Sequence, residues 1–244
     1  MSRHYKIDGF ELPSVTTIIS DCTDKSGALT QWAANMTVEW IRNNCGGFNS
    51  NHLIEVTEGE LNEARMNFRE VSKTALDVGS EVHACIESYL KTWKEPKIEN
   101  EQVLAAFVAF LEWRDEVNLE PVYLEQTVRG KYWAGTLDFF GWLKLPEWDE
   151  RRLYTIDWKS SKAIYASEMG PQIAAYHSRQ DLYHMNHGEP TGCAILRLDK
   201  ETGLPEFKDF SKRYESDLNI FNRMVDLFFA RHPILARKAG YKED

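Results

Sequence analysis

Hydrophobic positions along this chain change their period near its midpoint. From Leu29 to about Asn44, apolar side chains recur at Leu29, Trp32, Ala33, Met36, Trp40 and Ile41, the spacing of an amphipathic helix, with Gly46-Gly47 as its stop. Residues 58 to 93 carry the same spacing in two helical runs predicted to part near Gly79, the second with Val82, Ile86, Tyr89 and Leu90 on one stripe. Residues 101 to 117 add a long helix before Pro121. Ahead of these, YKIDGFEL reads as a hairpin around Asp8-Gly9, and Ser14 caps a short helix, VTTIIS.

After Pro121 the pattern becomes that of strands. VYLEQTV, YWAGTLDFFGWLKL and RLYTIDWK are rich in β-branched and aromatic residues with turn-formers between them, and they predict three successive antiparallel strands. A helix over about 166–187, a strand at GCAILRL, a further strand at PEFKDF and a helix over about 212–237 complete the reading. The pattern implies an α/β protein: a central mixed β-sheet flanked by helices, with a helical N-terminal region. Residues 1–120 form that region and residues 121–244 the core, within one integrated domain. Trp32, Trp40, Trp93 and Trp113 fall on apolar stripes and are expected in the core.

Composition narrows the class. With 43% hydrophobic and 27% charged residues, the chain of 244 residues can bury a sizeable core. The net charge of −9 is uneven: residues 1–150 hold 14 Lys+Arg against 25 Asp+Glu, whereas residues 151–244 hold 15 against 13. The acidic first half argues against a broad nonspecific nucleic-acid surface and leaves room for a local basic channel. Four scattered cysteines, Cys22, Cys45, Cys85 and Cys193, contain no CxxC pair for zinc. No apolar run approaches the ~20 residues of a membrane span, and the N-terminus has no secretory signal pattern. A cytoplasmic protein without membrane attachment is expected.

The chemistry centres on LYTIDWKSSK. Side chains alternate along a strand, so Asp157 and Lys159 share a face and Trp158 points away. Chance supplies about two acid-x-Lys triplets in such a chain, but this one follows an apolar strand. The preceding strand, GTLDFFGWL, brings a second acid, Asp138, into an apolar run. Buried carboxylates are costly unless paired or bound to metal, so two on neighbouring strands suggest a cation.

Gly135-Thr136-Leu137-Asp138, Asp157-Trp158-Lys159 and Gln172-Ile173-Ala174-Ala175-Tyr176, with Val82-His83 and Ile86-Glu87 on an upstream helix and Pro13-Ser14-Val15-Thr16 early in the chain, resemble the RecB-like exonuclease branch of the PD-(D/E)XK nuclease superfamily. Within it the chain is similar to exonucleases of the mitochondrial genome maintenance and phage type. The resemblance implies a restriction-endonuclease-like core in which His83, Asp138, Asp157 and the Trp158 carbonyl hold a divalent cation. It also implies that Lys159 activates water or stabilises charge, and that Glu125 on the preceding strand adds a catalytic or second-metal acid. Gln172 and Tyr176 would support Lys159 or touch DNA, with Ser14 and Ser160 as further substrate contacts. Glu87, one turn after His83, offers an HxxxE metal pair, and reads rather as a residue of the solvated face or as support behind the ligands.

Carboxylate ligands suit Mg²⁺ or Mn²⁺, and the imidazole favours tolerance of Mn²⁺. Some relatives hold an iron–sulfur cluster through three C-terminal cysteines; Cys193 stands alone there, so no cluster is expected. Arg129-Gly130-Lys131-Tyr132-Trp133 interleaves cations and rings as strand-binding loops do, and Arg129 and Lys131 are candidate substrate contacts. His177, His184 and His187 share a helix face, but nothing completes a zinc set. The implied function is a metal-dependent DNA exonuclease acting on DNA ends or single strands, leaving 5′-phosphates and working beside phage or host replication and recombination proteins. A ring-shaped duplex exonuclease of the recombination type and a non-catalytic nucleic-acid binder are the alternatives.

Overall fold

A computed structural model describes residues 4–45, 55–179 and 192–242. The chain forms two compact units: residues 1–23 with 81–244, and residues 24–80.

The first unit opens with a hairpin of β1 (His4–Ile7) and β2 (Phe10–Pro13), turned at Asp8 and Gly9 with positive φ at both. Ser14 then starts α1 (Val15–Cys22), its hydroxyl oxygen accepting from the Thr17 N–H at 2.9 Å. That contact satisfies one of the donors a helix N-terminus leaves open. The second unit contains α2 (Ser26–Asn44) and the first part of α3 (Glu58–Thr92). Thr57 and Glu60 form a reciprocal cap at the start of α3: Glu60 accepts from the Thr57 N–H at 2.7 Å, and the Thr57 hydroxyl accepts from the Glu60 N–H at 3.3 Å.

The predicted break near Gly79 does not occur, and α3 is continuous through it. A glycine inside a helix costs about 1 kcal/mol relative to alanine, which the apolar stripe of Val78, Val82, Ile86 and Leu90, all buried, readily offsets.

Five strands make the main sheet in the order β3 (Glu120–Arg129), β4 (Ala134–Leu143), β5 (Arg152–Lys159), β6 (Gly192–Leu198) and β7 (Pro205–Asp209). Only the β5–β6 pair is parallel, so the sheet is mixed. A parallel step needs a crossover; α5 (Ala166–His177) lies in it. The sequence places a helix over 166–187; the described helix ends at His177, and residues 180–191, with His184 and His187, lie outside the described residues, as do Gly46 and Gly47.

Trp158 packs against Phe110 and Trp113 of α4 (Glu101–Glu116), whereas its neighbour Asp157 meets Gln172 of α5. Adjacent strand residues point to opposite faces, so α4 and α5 cover opposite sides of the sheet. The chain is therefore α/β, with a five-stranded mixed sheet flanked by helices. The final helix is two: α6 (Tyr214–Arg231) and α7 (Pro233–Ala239). Pro233 has no N–H to continue the ladder and instead occupies the first turn of a new helix, which ends at Gly240 with φ of +66°.

Of the four tryptophans expected in the core, Trp113 is buried, Trp32 and Trp40 are half-buried, and Trp93 is 53% exposed. Trp93 adopts a φ of +55° just past the end of α3, and its ring meets Tyr89 of the stripe edge-on at 5.7 Å while staying largely exposed. Among the described residues, no helix is long and apolar enough to cross a membrane.

Candidate active site

Three acids lie in one row across three strands. On β3 and β4, Leu124 is opposite Phe139 and Gln126 is opposite Leu137, which puts Glu125 opposite Asp138. The β4–β5 ladder ends with Phe139 opposite Ile156, and one further step of that register puts Asp138 opposite Asp157. Directly opposed residues share a face, where like charges repel. Regular pairing is absent at both steps. Glu125 takes a φ of +48° in mid-strand, a left-handed conformation that costs a non-glycine residue roughly 1–2 kcal/mol and that concentrates at functional sites.

Helix α3 supplies the imidazole. His83 Nδ1 is 3.4 Å from Asp138 Oδ1 and 3.9 Å from Glu125 Oε1, and the three residues bring ligand atoms within 4.8 Å of one another. Among the described residues this is the group of histidine, cysteine and acid side chains compact enough to hold one ion. An octahedral ion with ligands at 2.0–2.1 Å sets neighbouring donors about 3 Å apart and opposite ones about 4.2 Å apart, and the two His83 separations lie between those values. The Trp158 N–H donates to Asp138 Oδ2 at 2.8 Å. In a strand the carbonyl of a residue leaves on the same side as its N–H, which turns the Trp158 carbonyl toward β4 as well.

Asp157 lies outside that group of three. Its Oδ1 accepts from Gln172 Nε2 at 2.9 Å, and its Oδ2 pairs with the Lys159 ammonium. Gln172 therefore reaches Asp157 rather than Lys159. Tyr176, one turn later on α5, is buried, and its ring lies so close to Gly135 that a Cβ there would sit 2.5 Å from Tyr176 Cε1. This is why glycine precedes Thr136-Leu137-Asp138: any side chain would push the tyrosine away.

The charges shift one another. Burial opposes the His83 cation, but the Asp138 charge and polar contacts with Asp138 and Glu125 outweigh it and push the imidazole up to about 10. Burial likewise disfavours ionised Asp138; the His83 and Lys159 charges and the Trp158 N–H overcome it and hold that carboxyl below its ordinary range. Burial, opposed by Lys159 and reinforced by Asp138, pushes Asp157 up to about 6. The two acids also hold the Lys159 ammonium above its ordinary value against burial. Burial and the charges of Asp157 and Asp138 raise the Tyr176 phenol well above its usual range. Neighbouring carboxyls driven apart in this way occur at sites of acid–base or metal chemistry and in structural ion-pair networks alike.

The remaining sequence candidates are dispersed. Ser14 is buried, and its hydroxyl is spent on the α1 cap and on Thr17 Oγ1 at 2.8 Å. Arg129 pairs with Asp8 and lies 5.6 Å from the Phe10 ring centre, fastening the β1–β2 hairpin to β3. Lys131 lies in the β3–β4 turn, its Nζ 4.8 Å from the Tyr132 ring centre. Ser160 follows Lys159, half-buried. Glu87, half-buried and one turn after His83 on α3, pairs with Lys91. His177 meets Thr155 Oγ1 at 3.0 Å in the interior, and Cys193 is buried in β6, its thiol pushed up to about 12 mainly by burial.

No protein-family model matches the chain, and no curated protein matches its sequence.

Proposed function

We propose that this protein is a divalent-cation-dependent DNA exonuclease of the PD-(D/E)XK type, hydrolysing phosphodiester bonds at DNA ends or on single strands and leaving 5′-phosphates. The observation that carries this reading is the convergence of His83, Glu125 and Asp138 beside an ion pair of Asp157 with Lys159 that Gln172 steadies. In this reading the mixed sheet is a restriction-endonuclease-like core. Working in the cytoplasm of a bacterial or phage-infected cell, beside replication or recombination proteins, belongs to the same proposal.

His83, Glu125 and Asp138 would hold the ion, with the Trp158 carbonyl adjacent and Asp157 available once Lys159 turns to substrate. A bound Mg²⁺ or Mn²⁺ supplies Lewis-acid neutralisation of phosphate charge and a more acidic water. Lys159 brings an ammonium to the end of β5, where it stabilises charge that grows on the phosphate oxygens. Gln172 holds one oxygen of Asp157, so the carboxylate keeps its orientation when Lys159 turns to substrate. His83 enters as a neutral ligand after losing its proton.

The test is incubation of the full chain with 5′- and 3′-labelled single- and double-stranded DNA in Mg²⁺, Mn²⁺ or EDTA. Metal-dependent, EDTA-blocked shortening is expected. Intact DNA in every metal-containing reaction, with a folded protein, would overturn the proposal.

A further inference from the structure

The β3–β4 turn borders a second feature. Residues of that turn, of α6 and of the C-terminal segment line a cleft of about 690 Å³. Lys131, Arg223 and Lys242 bring three cations to it, and among its described residues Asp226 is the one acid, 3.8 Å from Arg223. In a chain whose net charge is −9, this reverses the sign locally, and local sign governs which ligands collect at a cleft.

Tyr132, Trp133 and Tyr241 supply rings on the same walls. These rings are held in place. Tyr132 meets Tyr241 edge-on at 4.9 Å, Tyr241 stacks on Phe229 at 4.6 Å, and Trp133 meets Phe221 edge-on at 5.4 Å. The Tyr132 hydroxyl lies 3.3 Å from both the N–H and the carbonyl oxygen of Lys242, and the Tyr241 hydroxyl donates to Asp226 Oδ1 at 2.9 Å. The turn is built around the indole: a Cβ on Gly130 would sit 2.2 Å from the Trp133 ring, and the Gly130 N–H donates to the Trp133 carbonyl at 2.9 Å. Asn219 and Asn222 add amides from α6 that can donate to and accept from base edges.

We infer that this cleft is a binding subsite for single-stranded nucleic acid, with the half-buried Tyr132 and Tyr241 taking base faces, the buried Trp133 supporting the turn, and Lys131, Arg223 and Lys242 taking phosphates. Stacking platforms joined to cationic grooves bind single strands with little sequence preference. The inference rests on the nuclease reading for its purpose, since the β3–β4 hairpin ties the cleft to the acids. Four residues along each strand separate the Arg129–Ala134 pair, which closes the turn, from the row of Glu125 and Asp138, about 13 Å at a strand rise of ~3.3 Å per residue. At ~3.4 Å per stacked nucleotide that spans about four nucleotides. The cleft then grips the strand several nucleotides from the bond that is cut.

The test measures fluorescence anisotropy of labelled oligothymidylates of 3 and 20 nucleotides with the full chain in EDTA, across a salt series. The triple variant Lys131→Ala, Arg223→Ala, Lys242→Ala changes side chains at the rim, and circular dichroism checks its fold. On the 20-mer it is expected to bind at least ~10-fold more weakly than wild type, with a salt slope shallower by about 2, as loss of three single-strand phosphate contacts at ~0.7 each requires. The 3-mer is expected to bind both proteins alike, and thymidine monophosphate is expected to compete poorly. Equal binding of the 20-mer by the two proteins, or none by wild type, would overturn the subsite; strong competition by the monophosphate would replace it with a mononucleotide site. Wild-type binding without cleavage in Mn²⁺ would sink the nuclease reading and leave the subsite standing.

Discussion

Binding of Mn²⁺ at His83 is expected to release close to one proton per ion at pH 7.5. The imidazole, pushed up to about 10 by Asp138 and Glu125, is a cation in the metal-free protein, and a metal ligand must be neutral. An unshifted histidine near 6.5 would be only about one-tenth protonated at pH 7.5 and would release ~0.1 proton; Asp157, near 6, adds ~0.03. Stripping the His83 proton at pH 7.5 costs about 3 kcal/mol at 1.36 kcal/mol per pH unit. The sign follows: apparent affinity rises about tenfold per pH unit from near neutrality toward 10, instead of levelling off above pH 7. Isothermal titration calorimetry of Mn²⁺ binding in two buffers of different ionisation enthalpy gives the proton count directly. His83→Asn, which offers a ligand that does not titrate, is expected to bind more weakly with near-zero release. Tight binding by wild type with release below ~0.3 proton would refute the ion pairing from which the shift arises, and no binding would remove the metal site itself.

Lys159→Ala is expected to keep DNA binding and lose at least ~100-fold in cleavage rate, the usual loss when a charge-stabilising group leaves a preorganised site; an unchanged single-turnover rate would exclude Lys159 from the chemistry. At Glu125 the backbone and the charge can be separated: Glu125→Gly should be more stable than Glu125→Ala by about 1 kcal/mol in urea unfolding, because only glycine occupies φ of +48° without strain, while both lose Mn²⁺ affinity. Equal stabilities would contradict the left-handed conformation. Ser14→Ala removes the α1 cap and should lower stability by about 1 kcal/mol, with a matching drop in thermal midpoint and intact cleavage per folded molecule; a selective loss of activity would return Ser14 to the substrate contacts.

Much of the architecture was legible because it rests on local periodicity. The change from helical to strand spacing at Pro121, the Asp8-Gly9 hairpin and the Ser14 cap each depend on neighbours within a few residues, and the structure has them where the pattern put them. Errors fell where two local signals competed. Gly79 marks a break, but the buried stripe around it is worth more than one glycine costs. Pro233 is a break, and the apolar spacing across it hid that. The stripe that included Trp93 ended one residue too soon to bury it.

For the candidate site, Asp138, Asp157 and Lys159 stood out in the sequence as charges on apolar strands, and His83, Glu125 and Gln172 were added by its resemblance to a nuclease family. What it could not contain is which of them meet. Strand register, which is set by pairing across the sheet, placed Glu125 opposite Asp138, and packing of α3 brought to both an imidazole from about 40 residues before the first and 55 before the second. Tertiary packing likewise turned Arg129 to Asp8 and brought Lys131 to one cleft with Arg223 and Lys242, residues about 90 and 110 positions later. Periodicity is a property of neighbours along the chain; a site is a property of neighbours in space, and only burial of the shared core decides those.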